Sequence, residues 1–288
     1  MIGDKLTLEE EWPRPKKRKT LRFISHNVAG FGTYDGIYEG HLYNQDIIKL
    51  QGDVICLTEL NVNLNNMKMR NDIFNIFKFT DRHSKTQIGK QPESLTSANH
   101  YYPGGNLIST NGIIAGRIRK SGHDEAGRWS WMEIICKHQK NITVISAYCS
   151  NGNLTGITTI SYQEYRYYLR NGRKNPQKVR HHFINDLREF VKQIHDNGNH
   201  VLIFMDANMD NNSPTIKRLC MDLGLTNIHS ENKKIIEKSN TFIRGSKCID
   251  IALCSHEIIP YVKASGYLPF ESVGTSDHRP QCCEAISS

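Results

Sequence analysis

Three stretches of this chain, two of them apolar runs and one a turn, end on side chains that can bind a metal or move a proton. Ile55-Cys56-Leu57-Thr58-Glu59 ends on a carboxylate, and Phe204-Met205-Asp206-Ala207-Asn208 on a carboxylate and an amide. Gly274-Thr275-Ser276 leads into an adjacent acid and imidazole, Asp277 and His278. Turn chemistry of this kind holds reactive groups at the mouth of a sheet instead of spreading them along a helix. A divalent cation of the Mg2+ type needs hard oxygen ligands and leaves room for water and a phosphate. Glu59 suits it, although by itself it reads equally as a surface acid at a strand end. Asp206 and Asn208 are two residues apart and face one side of an extended backbone. There the carboxylate can orient or deprotonate a water, and the amide can hold that water and donate to a phosphoryl oxygen. The same Asp-Ala-Asn is also good turn chemistry. Asp250 interrupts the apolar run 249–253. A buried acid is costly without a partner. His278 would serve, either as a structural pair or as an imidazole made more basic and fixed in orientation. The combined pattern is that of metal-assisted hydrolysis by groups from distant parts of the chain.

The elements that must position these groups follow from the hydropathy pattern. Leu21-Arg22-Phe23-Ile24-Ser25 is a short strand, Tyr38–Leu50 a helix stopped by Gln51-Gly52, and 53–57 a strand of the continuous apolar type that is buried on both faces. A second helix is expected over 66–77. Residues 81–106 are polar and aperiodic, a length usually reserved for functional or irregular segments. Strands are expected over 112–118, 129–136 and 142–148, with a turn at Ser121-Gly122-His123-Asp124. Asn175 as cap and Pro176 in the first turn open the clearest helix, whose Val179, Phe183, Leu187, Phe190, Val191 and Ile194 share one face. A strand over 201–205, a helix over Pro214–Leu223 and strands over 249–253 and 281–285 complete the pattern. Helices alternating with hairpin-like strand pairs predict an α/β sandwich with mixed sheets. No linker divides the folded part, expected over 20–288. Residues 1–19 read as a flexible leader that turns from acidic to basic.

Bulk properties narrow the partners. The net charge of +8, from 37 Lys and Arg against 29 Asp and Glu in 288 residues, favours a polyanion such as nucleic acid, although a basic protein without such a partner has the same balance. The stretch 165–174 mixes Arg166, Arg170, Arg173 and Lys174 with tyrosines. Cations there would neutralise phosphates and rings could stack on bases; equally, it is a solvated helix end with inward-packed tyrosines. Arg117, Arg119, Lys120 and Arg128 are candidates for the same groove. The eight cysteines form no Cys-x-x-Cys pair and read as buried hydrophobes of a reducing compartment. No apolar run approaches membrane-spanning length and the N-terminus has no hydrophobic signal region, so the expectation is a soluble intracellular protein. Lys16-Lys17-Arg18-Lys19 resembles a nuclear-localisation cluster and reads equally as a nucleic-acid arm or a solvated tail.

Six motifs occur in the order of a known family: His26-Asn27-Val28-Ala29-Gly30, Leu57-Thr58-Glu59, Ala147-Tyr148-Cys149-Ser150-Asn151, Met205-Asp206-Ala207-Asn208, Ile249-Asp250 and Thr275-Ser276-Asp277-His278-Arg279-Pro280. Over about residues 21–287 the chain resembles the endonuclease/exonuclease/phosphatase superfamily, the fold of DNase I and the apurinic endonucleases. The resemblance implies a four-layer α/β sandwich, two sheets flanked by helices. It implies Mg2+, with Mn2+ as an alternative, ligated by Glu59 with help from Asn27 and Asp277. It further implies that Asp206 handles the attacking water, with Asn208 holding Asp206 and the phosphate. His278, paired with Asp250, would contact the phosphate or act as base; Tyr148 would supply a hydroxyl and Asn151 a substrate-site amide. Ala29 departs from the pattern where many apurinic enzymes carry an acid, and Met205 replaces a glycine. No tryptophan precedes Asp250; Thr241-Phe242-Ile243-Arg244-Gly245 and Gly127-Arg128-Trp129 look more like retroelement endonuclease domains. The activity implied is a DNA endonuclease. A phosphatase acting on phosphoinositides or another phosphoester, and an inactive nucleic-acid-binding relative, are the alternatives.

Overall fold

A computed structural model describes residues 15–32, 38–91, 102–137, 140–231 and 240–286. Residues 1–14, most of the expected leader, lie outside them, as do 92–101 of the expected long loop. Within 15–19, Lys16 Nζ pairs with Asp53 Oδ1 at 2.7 Å, while Lys17, Arg18 and Lys19 are exposed.

Two six-stranded mixed sheets form the frame. The first runs Val262–Tyr267 (β11), Gln281–Ile286 (β12), Thr20–Asn27 (β1), Val54–Thr58 (β2), Asn106–Thr110 (β4) and Lys85–Ile88 (β3). The second runs Ile118–His123 (β5), Trp129–Ile134 (β6), Ile142–Tyr148 (β7), His200–Asp206 (β8), Asp250–Ser255 (β10) and Leu225–Asn227 (β9). β1 and β2 pair in parallel, as do β7 and β8, and the other pairs are antiparallel.

Alternation along the strands explains the layering. In β8, Leu202 and Phe204 turn inward with Phe23, Cys56 and Cys283 of the other sheet, filling the space between the sheets. Their neighbours Val201, Ile203 and Met205 turn outward against Phe183, Leu187 and Val191 of α5 (Val179–Asp196) and Leu219 of α6 (Pro214–Leu223). On the first sheet, Ile55 and Leu57 pack outward on Ile47 of α1 (Tyr38–Leu50) and on Ile73 and Phe77 of α2 (Met67–Thr80). Both faces of these strands are buried, which is why they read as unbroken apolar runs. The result is the expected four-layer sandwich. No helix among the described residues is long and apolar enough to cross a membrane.

Local differences from the sequence reading have identifiable causes. The expected strand 112–118 is a short helix, α3 (Gly112–Ala115), that begins on Gly112 at φ 58°. β5 instead includes Ser121-Gly122-His123, and the turn lies at 124–128. A Cβ on Gly122 would come within 2.8 Å of the Trp131 ring, so this glycine lets the indole lie across the strand. The helix expected to open at Asn175-Pro176 starts at Val179, because Asn175 is left-handed (φ 53°) and its carbonyl closes a turn by accepting from Lys178 N. Residues 160–170 form a helix, α4, which buries Tyr168. The short polar strands β3 and β11 carry no apolar alternation and were not expected.

The first and last strands are locked by a buried ion pair. Arg22 faces Glu284 in register, donates to its Oε1 from Nη2 at 2.6 Å and from Nε at 3.0 Å, and caps Leu50 O. Both side chains are about 1% exposed. Removing one partner leaves an uncompensated charge, so Arg22→Met is expected to lower stability by about 3–5 kcal/mol in urea unfolding, with much of it regained by Arg22→Met combined with Glu284→Leu. Equal stability of Arg22→Met and wild type would contradict this role.

Candidate active site

The parallel pairs place their carboxyl-terminal ends at one edge of the sandwich. β1 ends on Asn27, β2 runs into Glu59, β7 ends on Tyr148 and β8 on Asp206. The antiparallel register of β8 and β10 sets Asp206 opposite Asp250. The loop before β12 adds Asp277 and His278.

Two acids side by side in a buried position repel unless neutralised. Asp250 Oδ2 meets His278 Nδ1 at 2.9 Å. Asp206 Oδ2 accepts from Asn27 Nδ2 at 2.9 Å, and Asp206 Oδ1 from the backbone N–H of Asn208 at 2.9 Å. His278 Nε2 faces the same Asn27 amide at 3.4 Å. Glu59 is hydrogen-bonded to Tyr148 and Asn27, and the Asp277 charge acts on it. Tyr148 in turn bonds Asn208, whose Nδ2 also donates to Cys149 O at 3.0 Å. One continuous network therefore joins Glu59, Asn27, Tyr148, Asp206, Asn208, Asp250 and His278, with Asp277 beside it.

Electrostatics follow from this crowding. Burial, then the Asp250 and Glu59 charges, push the Asp206 carboxyl up to about 8, against the opposing pull of His278 and Asn27. Burial lowers the His278 imidazole, but Asp250, Asp206 and Glu59 outweigh it and push it up to about 9. Burial and the Asp277 charge raise Glu59, opposed by Tyr148, His278 and Asn27. An excess of acid over base that holds protons at neutral pH is a donor set suited to a divalent cation. Asp206, Asp250 and His278 each bring one ligand atom within 4.8 Å of the others. In that group Nδ1 is engaged by Asp250, whereas Glu59 and Asp277 offer hard oxygens.

Backbone conformation aims the loops. Ala29 (φ 51°), Glu59 (φ 53°), Asn61 (φ 53°) and Asn208 (φ 46°) are all left-handed without being glycine. Such residues cost of order 1 kcal/mol or more each and persist where the surroundings over-determine them. Here Ala29 N donates to Asn27 Oδ1 at 3.0 Å, and Asn61 Oδ1 accepts from Gly104 N at 2.8 Å.

The other expected residues divide. Asn151 is exposed on the loop after β7, its Oδ1 accepting from Asn153 N and Ser161 Oγ. Arg166 is half-buried on α4, and Arg170 and Lys174 are exposed. Arg173 is exposed but donates to Asp186 at 2.7 Å and lies over the Tyr168 ring. Arg128 departs from the expectation of a substrate contact. It is 4% exposed, pairs with Asp124 at 2.6 Å and Asp186 at 2.8 Å, bonds the Tyr168 hydroxyl at 2.7 Å, and stacks on Trp129. Two carboxylates and a phenol take four of its five N–H groups, so it braces the β5–β6 turn against α4 and α5. Arg117 lies at the opposite end of the sandwich and Arg119 pairs with Glu133.

Three supports were not expected. Arg180 on α5 donates to Ser150 O at 3.1 Å and to Asn208 O, tying the two loops that carry Asn151 and Asn208. Its signal is a cation on the stripe of Phe183, Ile184 and Leu187. His26 is held neutral by burial, its pKa down to about 3, and bonds His278 O at 2.9 Å and Tyr43 at 3.3 Å. The Thr241 hydroxyl accepts from the N–H groups of Ile249 and Asp250, and the Phe242 ring lies 5.0 Å from the His278 ring.

Searches for relatives give a fold. No protein-family model matches the chain, and no curated protein sequence matches it. Solved structures do. An AP endonuclease from Leishmania major matches with TM-score 0.69 and 13% identity, covering 94% of this chain and 89% of its own. A 3′ phosphatase from Neisseria bound to a product DNA hairpin matches at 0.59 and 14%, covering 92% and 99%. The endonuclease domain of a telomere-specific non-LTR retrotransposon matches at 0.55 and 10%, covering 93% and 99%. The chain has the DNase I-like fold.

The site generates a pH prediction. A histidine raised from 6.5 to about 9 in the folded state stabilises fully below pH 6.5, and that stability is lost as pH rises through 9. Metal-free protein should therefore unfold more readily in urea as pH rises from 6.5 to 9. Asp250→Asn should flatten that slope and bring the His278 titration, followed by NMR, down toward 6.5. An unmoved titration would refute the pairing.

Proposed function

We propose that this protein is a metal-dependent phosphodiester hydrolase that cuts DNA as an endonuclease. The observation that carries this reading is the single network linking Asp206, Asn27, Asp250 and His278 to Glu59 at one sheet edge. Fold neighbours described as AP endonuclease, DNA-bound 3′ phosphatase and retrotransposon endonuclease support it. Mg2+, or Mn2+, would be held by Glu59 and Asp277 beside Asn27, and when bound supplies positive charge to the phosphoryl and leaving oxygens. Asp206, whose raised carboxyl would give up its proton when a cation's charge is added to the site, then takes a proton from the attacking water, whose oxygen bonds to phosphorus as the opposite P–O bond breaks. Asn27 and the Asn208 N–H hold both oxygens of that carboxylate, which fixes its direction toward the water. His278 keeps Nδ1–H on Asp250, leaving Nε2–H to donate to a phosphate oxygen. Tyr148 positions Glu59 and Asn208 together. Arg166, Arg170 and Lys174 would meet backbone phosphates flanking the site, with Asn151 nearer the scissile group.

Supercoiled plasmid should be nicked with Mg2+ and untouched in EDTA. Asp206→Asn and His278→Ala should each slow nicking by about 10²–10⁴-fold with unchanged circular dichroism. Wild-type rates in both variants would sink the assignment. Release of a 3′ phosphate or of phosphate from a phosphoinositide, with plasmid intact, would favour a phosphatase. Arg170→Ala and Lys174→Ala should each weaken DNA binding and reduce the salt slope by about 1; an unchanged slope would remove them from the DNA face.

A further inference from the structure

The Asp206 carboxylate takes its direction from a residue in costly backbone. Asn208 is left-handed at φ 46°, a conformation that residues other than glycine keep only where the surroundings enforce it. Its N–H donates to Asp206 Oδ1 at 2.9 Å, its Nδ2 to Cys149 O at 3.0 Å, and its carbonyl accepts from Arg180 Nη2. The chain on either side is fixed by backbone pairs, Ala207 N to Ile249 O at 2.9 Å and Asn211 N to Cys248 O at 3.0 Å. These pairs tie the loop to 248–249, and the peptide after Asn208 takes its orientation from the partner of the Asn208 carbonyl.

Arg180 is well placed to be that partner. It is the second residue of α5, which packs through Phe183 and Leu187 on β8, the strand that ends at Asp206. A helix laid on that strand carries the guanidinium more rigidly than a loop would. Arg180 Nε donates to Ser150 O at 3.1 Å, which sets the plane of the fork while Nη2 reaches Asn208 O. Ser150 is pinned in turn, its hydroxyl donating to Glu164 Oε2 at 3.0 Å. Gly152, at φ 78°, makes room for the arginine stem: a Cβ there would come within 3.2 Å of Arg180 Cδ. A glycine in the loop after β7 thus gives space to the side chain that clamps the loop after β8.

We propose, on the reading that Asp206 takes the proton from the attacking water, that Arg180 is the positioning residue for that carboxylate. By holding the Asn208 carbonyl it keeps Asn208 left-handed, and so keeps the Asn208 N–H on Asp206 Oδ1. With the carbonyl released, the peptide after Asn208 can turn. A positive φ outside the left-handed basin is open essentially to glycine alone, so Asn208 relaxes to negative φ and its N–H leaves the carboxylate. Asp206 then keeps Asn27 on Oδ2 and loses the contact that fixes Oδ1. A misdirected base slows the chemical step and leaves DNA binding alone. Lysine keeps the charge of Arg180 but not its planar fork, so it does not substitute.

The full chain is compared with Arg180→Met and Arg180→Lys, metal-free for amide hydrogen exchange by NMR and with Mg2+ for plasmid nicking. The Asn208 amide should exchange about tenfold faster or more in both variants, with the amides of Ile203 in β8 and Leu253 in β10 unchanged. Nicking at saturating DNA should slow about tenfold or more, with DNA affinity within about twofold of wild type. Unmoved Asn208 exchange in both variants would overturn the proposal whether or not the chain cuts DNA. Exchange that rises equally at Ile203 and Leu253 would reduce Arg180 to a general brace and overturn it as well. So would faster Asn208 exchange with nicking at the wild-type rate. Weaker DNA binding and a salt slope smaller by about 1, with the saturating rate unchanged, would make Arg180 a phosphate contact instead. A wild-type chain that leaves plasmid intact while Asn208 exchange responds would remove the assigned reaction and leave the clamp on Asn208 standing.

Discussion

Two carboxylates facing each other across a pair of antiparallel strands set the terms for everything around them. The register that places Asp206 opposite Asp250 follows from the pairing of β8 with β10, and like charges so close destabilise a sheet unless countered. His278 answers one and Asn27 the other. These two come from opposite ends of the chain, so neutralising the acids brings β1 and the approach to β12 to the edge of the second sheet. The same pair of sheets needs apolar residues on both faces, because each is covered by helices outside and by its partner inside. Polar chemistry is thus confined to the edge where the parallel strands end.

The sequence carried the frame where physical demands were unambiguous. Strands buried on both faces are continuous apolar runs, so β2 and β8 were legible with the acids at their ends. An acid inside the apolar run at Asp250 required a partner, and the structure sets His278 on it at 2.9 Å. Helix α6 was legible from its proline at the first turn and the glycine after it, Gly224, which is left-handed at φ 61°. The rest depended on distant contacts. β3 and β11 are short and polar, and the pairing of β3 with β4 and of β11 with β12 decides their state. Arg128 stands in a run of cationic candidates, and the one local sign that it is engaged is Asp124, four residues before it. The second captor of its guanidinium, Asp186, is 58 residues away in sequence.

Direction of side chains was the least legible property of the site. Glu59, Asn61 and Asn208 lie in left-handed backbone, and no composition rule predicts that for a glutamate. Arg180 illustrates the same gap. Its place on an otherwise apolar helix stripe signals burial of a cation, but only the folded loops show that its acceptors are the carbonyls of Ser150 and Asn208. The precision of the site therefore rests partly on backbone carbonyls, whose positions depend on the fold as a whole.

The ion pair between Arg22 and Glu284 joins residues 262 positions apart, and β12 lies between β11 and β1. The first sheet therefore cannot close between β11 and β1 until β12 is available to pair. Until then β1 lacks its β12 neighbour and Arg22 lacks the Glu284 carboxylate. Loop-closure entropy has to be met before a pairing of such sequence separation is rewarded, so closure of this sheet belongs to the slow, non-local contacts of the fold.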